Sequence, residues 1–318
     1  MSRFSYVLLL LSLVAFPLQA EEKITKEDSK EILSYLASDE LEGRGTGKEG
    51  NWKAARFIAK RFREYGLRPL YVPVHILPVP APPIIPVDGY GYFQHFDYSY
   101  SVRAGWFRRR LVTINTTNVV GVLQGETDRC ILFGAHFDHL GIRGGRIYNG
   151  ADDNASGTTA LLELAEAFAK SEKKPKHTLV FVAFSAEEVG LIGSRYYANY
   201  PVLPLKKHEL MINMDMIGRL SGKNPTLSLQ SGNLSKSTKN LVYKLDDSYP
   251  FSFNLTPAGW RSDHAEFKTH GVPVLFFHTG GHPQYHQPTD DEHLINYEGL
   301  VEITKYIFEF TNELMSDE

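Results

Sequence analysis

Seven residues, Thr178-Leu179-Val180-Phe181-Val182-Ala183-Phe184, run without a charge and without an alternating polar position. A strand with one wet face alternates, so a run this apolar belongs to a strand covered on both faces by helices. Neighbouring segments repeat the arrangement. Asn118 to Leu123, Ile131 to Ala135, Leu210 to Met214 and Val272 to Phe277 read as further strands. Thr158 to Ala169 presents Leu161, Leu164, Ala165 and Phe168 on one helical face, and Leu300 to Leu314 keeps Leu300, Ile303, Ile307, Phe310 and Leu314 in register. Strands alternating with helices predict an α/β fold: a three-layer α/β/α arrangement around a mixed, mostly parallel sheet. Residues 21–318 are expected to form a single domain, with no linker after residue 118.

The first part of the chain differs in character. Ser29 to Leu36 and Trp52 to Tyr65 have helical spacing, Gly66 ends the second helix, and Gly43-Arg44-Gly45-Thr46-Gly47 is a loop between them. Six prolines between Pro73 and Pro86 exclude a helix or a central strand there. The aromatics Tyr90, Tyr92, Phe93, Phe96, Tyr98, Tyr100, Trp106 and Phe107 follow. The stretch of about 71–107 reads as an insertion: either a polyproline arm with a hairpin on the surface, or a lid over a site. Ahead of all this, Arg3 precedes an apolar stretch from Val7 to Leu18, broken only by Ser12, and then Gln19-Ala20-Glu21-Glu22. That stretch falls short of the roughly 20 residues a spanning helix needs. It matches a signal peptide, 1–20, cleaved after Ala20. The expected location is therefore exported, periplasmic or secreted, with no stable membrane span after cleavage.

Composition narrows the function. Hydrophobic residues at 42% and charged residues at 22% exclude a disordered or collagen-like chain. The net charge is −3 and the longest basic run is Arg108-Arg109-Arg110, so no nucleic-acid partner is expected. The single cysteine, Cys130, rules out an internal disulfide and reads as a buried free thiol.

Acidic and histidine residues cluster where the strands end. His136 and Asp138 close the second strand, Asp152 and Asp153 lie in the loop after it, Glu187 and Glu188 follow the third, Asp215 follows the fourth, and His286 comes after the fifth. In open α/β sheets ligands bind at the carboxyl edge of the strands. Histidines and carboxylates are ligand types that Zn²⁺ accepts, and more than four of them suit two metals sharing a bridging carboxylate. Neither helical zinc-protease motif occurs, Pro283 separates His282 from His286, and there is no Gly-x-Ser-x-Gly elbow or phosphate loop.

Five segments carry a resemblance. Gly134-Ala135-His136-Phe137-Asp138-His139, Gly150-Ala151-Asp152-Asp153-Asn154-Ala155-Ser156-Gly157, Ala186-Glu187-Glu188-Val189-Gly190-Leu191, Asn213-Met214-Asp215-Met216-Ile217-Gly218 and Tyr285-His286-Gln287-Pro288 resemble, in order and spacing, the co-catalytic di-zinc aminopeptidases of the aminopeptidase S and aminopeptidase Y kind. The resemblance covers about 118–315 and extends weakly to Leu36 through Arg44. It implies two Zn²⁺ per chain, with His136 and Asp215 on one, Glu188 and His286 on the other, and Asp153 bridging. It also implies Glu187 as general base toward a water shared by the metals, Asp138 as the partner of the His136 imidazole, and Tyr285 as a donor to the developing oxyanion. The Asp153–Asn154 peptide is expected to be cis. The implied substrates are peptide or protein N-termini.

Further expectations attach to single residues. Adjacent strand residues point opposite ways, so Glu187 and Glu188 can both face the metals only if the chain bends at Ala186-Glu187-Glu188. Asp152 reads as a loop carboxylate, not a ligand. His139, His264, His278 and His282 read as supporting or surface residues, and Arg261-Ser262-Asp263-His264 as support for the pocket. Two other enzyme readings stay open: a glutaminyl cyclase-like transferase using a single zinc, and a hydrolase of another amide substrate. A metal-free receptor on the same fold is disfavoured by the intact ligand set. No motif marks the pocket that would select the N-terminal residue.

Overall fold

The computed structural model describes residues 24–69, 91–103, 108–245, 248–259 and 261–316. The expected signal peptide, the Pro-rich stretch 71–87, and Tyr90, Trp106 and Phe107 lie outside the described residues. Helices α1 (Lys26–Leu36) and α2 (Glu49–Glu64) open the fold, joined through a tight turn at Asp39–Arg44. Thr25 starts α1 by accepting the Asp28 N–H on its hydroxyl, which satisfies one of the orphan donors of the first turn. Next come β1 (Arg68–Pro69), β2 (Phe93–Arg103), β3 (Arg109–Leu123), β4 (Cys130–His136) and the small hairpin β5 (Gly141–Arg143) and β6 (Arg146–Tyr148). Then follow α3 (Gly157–Ala169), β7 (Thr178–Phe184), α4 (Ile192–Asn199) and β8 (His208–Met214). The chain ends with β9 (Thr226–Gly232), α5 (Lys236–Lys244), β10 (Ser252–Pro257), α6 (His264–Thr269), β11 (Val274–His278) and α7 (Tyr297–Ser316). No helix among the described residues is long and apolar enough to cross a membrane.

The main sheet runs β1-β3-β7-β4-β8-β11-β9-β10, with β2 also paired to β3. Its centre, β7, β4, β8 and β11, is parallel, and β3 and β9 join either side of that centre antiparallel. The sheet is therefore mixed, with helices on both faces. Residues 93–103 of the expected insertion are a strand of this sheet, paired to β3 from Phe93↔Val119 to Arg103↔Arg109. Strands β9 and β10 were not anticipated from the sequence.

The apolar runs split by period two into separate cores. Ile131, Phe133, Leu179, Phe181, Ile212 and Leu275 face α2, α3 and α7, with the Phe133 and Phe181 rings stacked at 5.0 Å. Leu132, Val180, Val182, Met211 and Val274 face Tyr197 of α4 and Phe267 of α6. Every residue of β7 is buried, as its composition required. Cys130 is free and buried in the second core.

One carboxyl group is buried far from the strand ends. Glu163, on α3, accepts a hydrogen bond from Ser29 Oγ (2.6 Å), and its second oxygen has no hydrogen-bond partner among the described residues. Burial pushes its carboxyl up to about 8, against the Ser29 hydrogen bond, which lowers it. The native state thus holds a proton that the unfolded chain releases near its ordinary value, and stability falls as pH rises from there to the folded value. Glu163→Gln keeps the acceptor and removes the charge. It is expected to stabilise the protein by several kcal/mol at about pH 9, at about 1.4 kcal/mol per pKa unit, and by little near pH 4.5. Urea unfolding at both pH values checks this, and an equal effect at both would refute it.

Candidate active site

Because β4, β7, β8 and β11 are parallel, their carboxyl ends share one edge. β4 delivers His136 there, the turn after β7 delivers Glu187 and Glu188, and Asp215 directly follows β8. Asp153 arrives on the loop before α3 and His286 on the loop after β11.

These side chains converge. Asp153 reaches both imidazoles: Oδ1 lies 3.5 Å from His136 Nε2, and Oδ2 lies 3.1 Å from His286 Nε2. Asp215 Oδ1 sits 3.4 Å from His136 Nε2, and Glu188 Oε2 sits 3.3 Å from His286 Nε2. Ligand atoms of His136, Glu187 and Asp215 fall within 4.8 Å of one another, as do those of His139, Asp153 and Glu188. The structure thus brings together all five sequence-nominated ligand residues and Glu187. It adds His139, whose Nδ1 lies 2.7 Å from Glu188 Oε1 and orients that carboxylate. Among the described residues, Asp215 Oδ1 is buried without a hydrogen-bond partner. Anionic oxygens facing imidazole nitrogens around a central carboxylate form a donor set that fits two divalent cations.

The backbone makes this convergence possible. Ala186 takes φ +63°, and the Gly190 and Leu191 N–H groups close back onto the Glu187 carbonyl, which is the bend expected at Ala186-Glu187-Glu188. The Asp153–Asn154 peptide is cis. Asn154 donates to the Met214 carbonyl (3.0 Å) and accepts from the Gly157 and Met216 N–H groups, tying the Asp153 loop to the end of β8. Gly150 enters that loop at φ +56°, where a Cβ would meet the Asp153 carbonyl oxygen at 2.1 Å and the His139 ring at 2.5 Å. Only glycine fits both the conformation and the space.

Asp138 differs in detail from its expected role. His136 Nδ1 is 3.1 Å from the Asp138 backbone carbonyl, and the carboxylate stands off at 3.9 Å. The chain leaves the strand at His136, so the main chain of Asp138 faces the ring. The carboxylate instead accepts from Thr46 Oγ1 (2.7 Å) and from the Glu187 N–H (3.1 Å), and so holds the Glu187 turn. Asp152 accepts the Gly218 N–H at 2.7 Å and lies 3.1 Å from His282 Nε2, apart from the cluster. Asp263 and His264 are buried, the latter stacked on Phe276, and neither falls in a ligand group among the described residues.

Sequence reasoning missed two supports, Asp290 and Arg44. Asp290, fully buried, accepts the backbone N–H groups of Asp152 (3.0 Å) and Asp153 (3.1 Å) and pairs with Arg219 at 2.8 Å. His139, expected as a supporting or surface residue, is a support, buried against Glu188. Arg44, also fully buried, donates to the carbonyls of Leu36, Phe137 (2.8 Å), Asn149 (2.6 Å) and Gly150 (2.9 Å), clamping the segments on either side of His139 and Asp153. Burial lowers its guanidinium to about 10, opposed by Asp153, Asp138 and Asp290.

The adjacent glutamates titrate in opposite directions. Burial pushes Glu187 up to about 10, reinforced by Asp263, Asp215 and Glu188 and opposed by His136. Burial would also raise Glu188, but hydrogen bonds from His139 and His286 outweigh it and hold Glu188 well below the usual carboxylate range. Asp153 and Glu188 raise His286 to about 10. The cluster opens into a cavity of about 550 Å³, whose far wall includes Ser228 and Gln230 of β9, Thr256 of β10, Phe276 and His278 of β11, and Arg261. Tyr285, half exposed, stands at its rim with its ring stacked on His286 at 3.9 Å. Burial and the nearby carboxylates push its hydroxyl up to about 12.

The sequence profile of peptidase family M28 matches residues 118–311. The chain belongs to that family. Aminopeptidase YwaD of Bacillus subtilis is 31% identical over 198 residues, 58% of this chain and 41% of that protein. The matched stretch spans under half the length of the first curated relatives. Among solved structures, an aminopeptidase from Aneurinibacillus sp. strain AM-1 superposes with a TM-score of 0.71, covering 92% of this chain and 94% of that one at 18% identity. Porphyromonas gingivalis glutaminyl cyclase does so at 0.64, covering 92% and 99% at 16% identity. At these identities the structural likeness speaks to the fold alone.

In this M28 chain, Arg44→Ala would remove the guanidinium donor from the carbonyls of Leu36, Phe137, Asn149 and Gly150, of which Gly150 keeps the Ala155 N–H. The expected loss of stability is about 3 kcal/mol or more. Urea unfolding of the variant checks it, and a loss below about 1 kcal/mol would show that the clamp is dispensable.

Proposed function

We propose that the protein is a zinc-dependent aminopeptidase that hydrolyses the N-terminal peptide bond of peptides. The observation that carries this reading is Asp153 standing between two imidazoles, at 3.5 and 3.1 Å, with Asp215, Glu188 and Glu187 around it at the mouth of one cavity. His136 and Asp215 would hold one zinc, Glu188 and His286 the other, and Asp153 both. Bound there, the two ions would supply Lewis-acid polarisation of the scissile carbonyl and bring the pKa of a water toward neutrality.

The chain's own groups do the rest. Glu187 lines the cavity next to His136 and Asp215, with its backbone N–H anchored by Asp138. Two cations bound beside it would favour its ionised form, and from there it would take the proton of the attacking water and return it to the leaving amine. His139 holds Glu188 and Asp290 holds the Asp153 loop, so the carboxylates keep their places as charge moves. Tyr285 offers its hydroxyl at the rim to the developing oxyanion. Glu187 and Asp215 are anionic partners for the free α-ammonium of the substrate. Asp215 and the Glu187-Glu188 pair favour the two-metal hydrolase over a single-zinc cyclase. The apolar stretch Val7 to Leu18 supports export, with a mature chain that starts at Glu21.

Incubation with a mixed peptide library, read by mass spectrometry, tests this. Loss of single N-terminal residues is expected, abolished by a chelator and restored by zinc, with acetylated peptides spared. Glu187→Gln should lower the rate by about 10²–10⁴ while keeping its zinc content by elemental analysis. Ammonia loss from Gln-initiated peptides alone would instead make it a cyclase. Peptides unchanged by a zinc-loaded protein would end the aminopeptidase reading.

A further inference from the structure

β3 runs antiparallel to β7, with Val119 opposite Ala183. β7 stops at Phe184, just before the Glu187 turn, but β3 extends back to Arg109 and stays paired to β2 all the way. The stretch from Arg109 to Thr117 therefore rises past the carboxyl edge as a two-stranded arm, roughly 30 Å long at about 3.4 Å per residue. Its root is tied to the site. Thr116 Oγ1 lies 2.8 Å from Ser185 Oγ, and the Ser185 N–H donates to Asn118 Oδ1. Ile114 rests on Gly47, where a Cβ would come within 2.4 Å of its Cγ2, and the preceding residue, Thr46, donates to Asp138.

The pairings Tyr98↔Ile114, Tyr100↔Val112 and Val102↔Arg110 set these six side chains on one face. Tyr98 and Tyr100 stack at 5.7 Å, and Tyr100 is 42% exposed. The Tyr98 hydroxyl is raised by burial, by Tyr100 and by Asp138, which places this face within electrostatic reach of the site. From Tyr98 to Gly125 the sequence holds no Asp or Glu, yet it carries Arg103, Arg108, Arg109 and Arg110 in a chain of net charge −3. Going outward, the face offers aliphatic and phenolic surface first and the Arg110 guanidinium after it, with Arg103 and Arg109 paired on the opposite face and Arg108 exposed just ahead of β3.

We propose that this arm binds the downstream part of the peptide substrate and favours chains with acidic side chains about five to seven residues beyond the cleaved bond. The span is counted from Thr116, which touches Ser185 two residues before Glu187, along the roughly 20 Å to Arg110 at about 3.3 Å per extended residue. The proposal rests on the aminopeptidase reading for its substrate class. It commits to peptide because the arm is continuous with the site and complementary in charge to an acidic chain.

The full-length zinc-loaded protein is assayed on two decapeptides that share their first four residues. One carries Asp-Glu-Asp and the other Asn-Gln-Asn at the sixth to eighth positions, and an amino-acid anilide serves as a short reporter. The expected KM for the acidic peptide is about tenfold lower at low ionic strength, a difference that salt erases. Arg108→Glu combined with Arg110→Glu should abolish the preference and leave anilide turnover within about twofold, because both residues are exposed at the outer end of the arm, beyond the reach of so short a substrate. Equal KM values for the two decapeptides, or an equal loss on the anilide, would overturn the proposal. So would arginine-dependent sedimentation with phosphatidylserine vesicles in the absence of peptide discrimination, which would make the arm a membrane-docking surface. Anisotropy of the same peptides, labelled at the C-terminus, separates the two claims. Without anilide turnover the aminopeptidase reading fails, whereas equal binding of both peptides defeats the arm by itself.

Discussion

Crowding Asp138, Asp153, Glu187, Glu188 and Asp215 at one buried sheet edge is the constraint that the rest of the structure serves. Carboxylates this close repel, and desolvation adds to the cost, so each must be held or compensated. The compensation is specific. His139 and His286 hold Glu188 in its ionised form, and His136 does the same for Asp215 against the burial that opposes it. Glu187 receives less of this help and keeps its proton far above the usual range. Two neighbours in sequence thus acquire opposite character from the groups around them, the environment by which one site can set two carboxyl groups to different tasks.

Holding these side chains together also requires backbone that is neither helix nor strand, and irregular buried backbone needs partners for its polar groups. The partners come from far along the chain. Arg44 serves carbonyls at both ends of the segment 137–150, Asp290 serves the N–H groups of the Asp153 loop, and Asn154 joins that loop to β8. A buried guanidinium and a buried carboxylate therefore replace the ladder hydrogen bonds that these loops lack.

This division explains what could be read from the sequence. The parallel centre was legible because β7 and β4 are apolar on both faces, and His136, the Glu187-Glu188 pair and Asp215 stood out as candidates because each lies at or just past the end of a strand, whereas Asp153 and His286, on loops, stood out through the family resemblance. Arg44 was not legible, since an arginine in a glycine-rich loop looks solvated until carbonyls distant in sequence surround it. Asp290 was hidden in the same way among the polar residues after His286. β9 and β10 escaped notice for another reason. In Thr226–Gly232 only Leu227 and Leu229 are core residues, while Ser228 and Gln230 between them face the cavity and dilute the apolar signal.

The outer strands carry a consequence of direction. A parallel strand reaches the active edge with its last residue, so it can deliver one ligand there and must then turn. An antiparallel strand arrives at the same edge with its first residues and can begin well beyond it without disturbing the centre. β3 uses that freedom: its inner half is core against β7, and its outer half extends past the acidic cluster as a surface no parallel strand of this sheet could build. The buried centre is fixed by packing and charge compensation, and it leaves little room to vary. Selectivity for the rest of the substrate is then most freely written on the antiparallel margin, where added length and surface charge cost the core nothing.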